Sequence, residues 1–201
     1  MPRTAEAVLT MPVSEDRDHI LGPSSAPVIL VEYGDFQCSH CGQAHYELQE
    51  LLKEAGDRFR LVFRHFPMTQ IHPNAQRAAE ASEVAGAQGQ FWPMHDTLFE
   101  KQNALDDHDL VMYAHEVGLD VMRFRMELLE GRYTPRVRED FLSGVRSGVN
   151  GTPTFFINGR RHDGPWDAES LLVAIDEAAP AVRRENRRFE SRRSTARRRA
   201  R

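Results

Sequence analysis

The chain has 201 residues, 40% of them apolar, which is enough for one compact domain or a domain carrying a large insertion. No apolar run approaches the roughly 20 residues of a bilayer-spanning helix, so no membrane partner is expected. The formal charge of −4 is unevenly placed: residues 183–201 hold ten arginines against Glu185 and Glu190, so an acidic body near −12 carries a basic tail.

Residues 1–19 are polar and irregular, which predicts a flexible N-terminal segment. They lack the 7–15-residue apolar stretch and small-residue cleavage site of a secretory leader, so the expected location is cytoplasmic. The run A-P-V-I-L-V-E-Y-G at 26–34 is almost continuously apolar and reads as a buried strand. Residues 39–55 have helical spacing, with Tyr46, Leu48, Leu51 and Leu52 apolar, and stop at Gly56. F-R-L-V-F-R-H-F at 59–66 alternates and ends at Pro67, giving a second strand. Strand, helix, strand predicts a right-handed crossover between parallel strands.

No strand signal appears between Pro73 and Gly131. An alanine-rich helix near 74–87 is followed by a short one over 91–101, whose Phe91, Trp92 and Phe99 are expected in the core of the insertion. Asp106 and Asp120 are placed to cap two more helices, each with a hydrophobic staple and a glycine stop. Thr134-Pro135 opens another, with proline at the tolerated first position. Strands resume over 152–162 around Asn158-Gly159, a hairpin signal, and Asp167 caps a last helix. The order β-α-β, helical block, α, β-β, α predicts an α/β domain with a helical insertion. Its segments are a core of 20–71 and 132–180, an insertion of 72–131, and an arginine-rich, disordered tail of 181–201.

Both cysteines of the chain, Cys38 and Cys41, lie in D-F-Q-C-S-H-C at the first strand-to-helix junction. A cysteine at a helix start meets unpaired amides and the positive end of the helix dipole, which favour thiolate over thiol. Cys38 is therefore the expected nucleophile. Cys41, one turn later, is the expected resolving thiol. His40 between them is expected to stabilise the Cys38 anion by a hydrogen bond or positive charge.

A strand ending V-E-Y-G-D-F, then C-S-H-C, and G-T-P-T-F-F-I-N-G about 110 residues later resemble the DsbA-like branch of the thioredoxin superfamily. F-R-H-F-P, H-P-N-A and F-W-P-M-H-D look like further landmarks. The resemblance implies a thioredoxin-like βαβ–ββα core with an inserted helical subdomain and a redox-active Cys38–Cys41 disulfide. It matches Pro153 to a cis-proline facing the cysteines, and Thr152 to a residue whose backbone pairs with substrate. Glu32 matches a buried acid that relays the proton of the resolving thiol.

The bland alternatives are specific. A zinc reading of the cysteines would have to borrow from His40, His45, His65 or His72, and the downstream proline motif weighs against it. His45, His65, His72 and His95 read as structural residues rather than catalysts. The tail could contact nucleic-acid phosphates, but charge runs are usually solvated. The sequence thus predicts a thiol–disulfide oxidoreductase acting on protein, peptide or small-molecule thiols and disulfides, with an unidentified redox partner and neither metal nor organic cofactor. The competing reading is a non-catalytic thioredoxin-fold module that binds a partner protein or nucleic acid.

Overall fold

The computed structural model describes residues 7–179, so the predicted disordered tail at 181–201 lies outside the described residues. The described elements run β1 (His19–Leu21), β2 (Val28–Gly34), α1 (Ser39–Ala55), β3 (Phe59–His65), α2 (Ala75–Gly86), α3 (Phe91–Glu100), α4 (Asp107–Glu116), α5 (Val121–Leu129), α6 (Thr134–Arg146), β4 (Thr154–Ile157), β5 (Arg160–His162) and α7 (Ala168–Ala178). One five-stranded sheet has the order β1-β3-β2-β4-β5. β2 and β3 are parallel, as a helical crossover requires, and the other pairings are antiparallel. This is a thioredoxin-like α/β fold with helices inserted between β3 and the terminal hairpin.

The near-continuous apolar character of β2 follows from burial on both faces. Val28 and Leu30 pack with Leu48 and Leu51 of α1 and Leu171 and Ile175 of α7. Val31 and Tyr33 face Val62, Phe66 and Phe156, with Phe141 of α6 against them. A third cluster runs through α2–α5 and α6, and it includes Phe36, Cys38, Cys41 and Phe63. Phe91 and Phe99 lie in this cluster, the insertion core expected for them. At the β4–β5 turn, Asn158 has φ 48° and Gly159 φ 80°, the two positive angles of a tight primed turn. Asp106, Asp120 and Asp167 accept backbone N–H bonds as helix caps, and Asp106 completes a capping box with Asp109.

The expectation for residues 1–19 needs correction within its described part. Residues 7–18 are fastened to the sheet rather than free of it. Val8 bridges Arg160, and the Leu9 amide donates to Gly159 O at 2.8 Å. The physical reason is Arg64 of β3, whose fully buried guanidinium needs an anion. Asp18 supplies it, accepting from Nε and Nη2 at 2.9 Å each, while Met11 O accepts from Nη1 and Pro12 O from Nη2. β1 itself, three residues long, is too short to show a period in the sequence.

Candidate active site

β2 ends at Gly34, and the chain turns through Asp35, Phe36 and Gln37 to place Cys38 at the N-cap of α1. With φ −77° and ψ 120°, Cys38 is extended while its carbonyl accepts the first helical bond, from Gly42 N at 3.0 Å. Its Sγ–H points to Thr152 O at 3.4 Å, so the segment before β4 lies against the sulfur. The Thr152–Pro153 bond in that segment is cis. Both cysteines are free thiols here.

The two sulfurs are driven in opposite directions. The Cys38 thiol is lowered to about 5, chiefly by a hydrogen bond from Cys41; burial opposes this, and Thr152 and the backbone amides of Cys41 and His40 assist. Cys41 is raised well above the ordinary thiol value by burial, by its bond to Cys38 and by the nearby charges of Glu32 and Cys38. Glu32, wholly buried in β2, is raised to about 8, first by desolvation and then by the Cys38 anion. Its Oε1 has no hydrogen-bond partner. One anionic sulfur, one protonated thiol and one neutral carboxyl therefore share a dry space at pH 7.

Between about pH 5 and the ordinary thiol value, Cys38 is thiolate in the folded dithiol form and thiol in the unfolded chain. It therefore contributes stability that grows as pH rises above 5 and is lost as pH falls through 5. Ultraviolet thiolate absorbance of the reduced protein is expected to titrate with a midpoint near 5. A midpoint near the ordinary value of about 8.5 would show that the amides do not act on this sulfur.

The His40 side chain is exposed, and its backbone amide reaches the Cys38 sulfur. His45 is buried against α3, His65 bonds Glu83 at 2.9 Å, and His95 lies in the aromatic core. His72 bonds Asp35 at 2.8 Å. None of these four reaches either sulfur by a hydrogen bond.

Two positioning residues escaped the sequence reading. Asp35, fully buried, accepts from Gln37 N and Met68 N and from His72, while its own amide donates to Cys41 Sγ at 3.5 Å. The acid beside the motif was its only sequence signal. Gln102, just past α3, donates from Nε2 to Phe36 O at 2.8 Å and Cys38 O at 2.9 Å, clamping the turn from the inserted helices. Its amide lies so close over Gly42 that a Cβ there would sit 2.2 Å from Oε1. Nothing near Gln102 in sequence marks it.

A thioredoxin-like fold with a Cys-Ser-His-Cys pair at its first helix, held this way, defines a thioredoxin-like domain with a CXXC pair. The chain belongs to the thioredoxin family: a family model described as Thioredoxin matches residues 14–177. Among solved structures it superposes on oxidised BdbD from Bacillus subtilis with a TM-score of 0.75 at 23% identity, covering 86% of this chain and 98% of that one. A thioredoxin-like oxidoreductase from Silicibacter pomeroyi DSS-3 gives 0.73 at 25% identity, covering 87% and 97%. Among curated proteins, the Na(+)/H(+) antiporter NhaA 1 of Salinispora arenicola is 49% identical over 175 residues, 87% of this chain. That stretch is 27% of the antiporter, so the chain spans about a quarter of the length of this relative.

Proposed function

We propose that this domain is a thiol–disulfide oxidoreductase acting on protein or peptide substrates. The observation that carries the reading is the opposed displacement of the two thiols, Cys38 down to about 5 and Cys41 upward, three residues apart. The Cys38 thiolate attacks a substrate disulfide. A mixed disulfide forms and one substrate sulfur leaves as thiolate. Cys41 then attacks the Cys38 sulfur, the Cys38–Cys41 disulfide forms, and the second substrate sulfur leaves. Two electrons pass to the substrate, and the reverse sequence oxidises a substrate dithiol. No cofactor is needed, because the pair stores both electrons.

Glu32 supports the second step. While Cys38 is an anion, its charge helps keep the carboxyl protonated. Once that charge is consumed in the mixed disulfide, Glu32 ionises more readily and accepts the Cys41 proton. Glu32→Gln is therefore expected to slow resolution of the mixed disulfide by about 10²-fold or more at pH 7, with the attack by Cys38 nearly unchanged. Rapid-quench trapping of the intermediate separates the two steps, and equal rates in both proteins would remove Glu32 from the mechanism.

Thr152-Pro153 is the proposed docking edge, offering backbone groups beside Cys38 to an extended substrate segment. Sodium–proton exchange is not extended to this chain. The likeness to the antiporters covers one portion of them, and among the described residues no helix is long and apolar enough to cross a membrane.

The deciding experiment is equilibration of the pair in glutathione buffers with thiol trapping. A nucleophile near 5 stands between the thiols of strong reductants at about 7 and strong oxidants at about 3.5. The expected potential accordingly lies between about −270 and about −120 mV. A pair that never exchanges with glutathione would refute the redox reading and leave the non-catalytic binding module.

A further inference from the structure

Some buried groups take no part in the thiol chemistry. One helical turn beyond Cys41, His45 of α1 turns toward α3, where His95 and Asp96 meet it. The His95 Nδ1 lies 2.9 Å from Asp96 Oδ1, and His45 Nδ1 lies 4.0 Å from the same oxygen. One nitrogen from each ring and one carboxylate oxygen fall within 4.8 Å of one another. We propose that His45, His95 and Asp96 form a binding site for a divalent transition-metal ion, with zinc the chemistry that fits, tying α1 to α3.

Geometry and donor chemistry support this site. Two imidazole nitrogens and one carboxylate are a donor set suited to zinc, whose bonds to them are about 2.0–2.2 Å and leave a fourth position for water. Two of the three donor spacings, 2.9 and 4.0 Å, bracket the tetrahedron edge of about 3.3 Å that those bond lengths give, so a small side-chain adjustment would close the set. Asp96, with its side chain 38% exposed, opens the site to solvent and pairs with no arginine or lysine among the described residues.

The tautomer of His95 adds an independent observation. With Nδ1–H donating to Asp96, the Nε2 lone pair is left buried without a partner. Around the ring stand Phe36, Phe63 and Phe99, each within 5.7 Å and near perpendicular to it. Metal on Nδ1 would move that proton to Nε2 among these rings, with no net proton lost.

A second triad, His65, Glu83 and Asp140, looks similar by composition but is already neutralised. Arg136 lies 2.6 Å from Asp140 and 3.8 Å from Glu83, and Arg17 also bonds Asp140. A cation there would face two guanidinium groups. Around His45 and His95 the other titratable groups are the His19 and His65 rings, which touch Glu83.

Zinc chloride titrated against a chromophoric chelator into the full-length Cys38→Ser/Cys41→Ser protein tests this without competition from the sulfurs. One zinc per chain is expected, at micromolar affinity or tighter. Asp96→Asn, which leaves the aromatic core in place, and His45→Gln are each expected to weaken it at least tenfold. Cobalt(II) is expected to give the visible bands of a four-coordinate site, lost in both variants. Zinc should also raise the thermal midpoint of the parent and not of Asp96→Asn. Absence of zinc binding, or binding unchanged in both variants, overturns the proposal while leaving the thiol reading intact.

Discussion

Cys38→Ser is expected to abolish disulfide exchange altogether, whereas Cys41→Ser is expected to attack substrate and then stall as a stable mixed disulfide. The asymmetry follows from the electrostatics of the two sulfurs. Only Cys38 has its anion stabilised, by the helix-start amides and by Cys41, so only Cys38 can begin the reaction at neutral pH. Cys41 is dry and protonated, reacting only after a neighbouring disulfide has formed. Non-reducing electrophoresis with a disulfide-containing peptide reads both outcomes. Accumulation of the covalent adduct in Cys38→Ser instead would reverse the roles. Loss of the Cys41 hydrogen bond in Cys41→Ala, which has no donor there, is also expected to shift the Cys38 titration upward from about 5, because that bond is the largest stabiliser of the anion.

The largest stability effect is expected far from the sulfurs, at Asp18. Removing its carboxylate in Asp18→Ala leaves the Arg64 guanidinium charged and buried, with only carbonyls and the Tyr33 hydroxyl for company. Breaking one side of a buried pair typically costs about 3–5 kcal/mol. The exposed pair Lys53–Glu50 is the internal control, because Glu50→Gln should change stability by less than about 1 kcal/mol. Urea unfolding of the three proteins decides it. Equal midpoints for Asp18→Ala and Glu50→Gln would mean that the N-terminal segment is not anchored through Arg64. The pH dependence has a definite sign. Asp18 and Glu83 are both held below the usual carboxylate range, so their contributions are complete above that range and are lost as pH falls below it.

Much of this architecture was legible because it was local. The three aspartate caps, the Thr134-Pro135 start and the Asn158-Gly159 turn each declare themselves within a few residues, and the structure places them where those signals stood. The cysteine pair was legible for the same reason, since a helix start after a buried strand fixes its electrostatics. Features requiring partners distant in sequence were not legible. Gln102 reaches its carbonyl acceptors across 66 and 64 positions, and Asp18 reaches Arg64 across 46. His40 illustrates a subtler point: residue 40 already lies in α1, its imidazole is exposed, and its backbone amide bonds the Cys38 sulfur, a contact that side-chain reasoning did not include.

The ends of the sheet carry a consequence for solubility. Both outer strands, β1 and β5, are only three residues long, and β5 begins Arg160-Arg161 with Val8 bridged against its rim. Short, charged and partly covered edges give neighbouring chains little unpaired backbone on which to add a strand. The molecule is thereby guarded against edge-to-edge aggregation, a hazard for a protein whose proposed work brings it against extended, unfolded polypeptide.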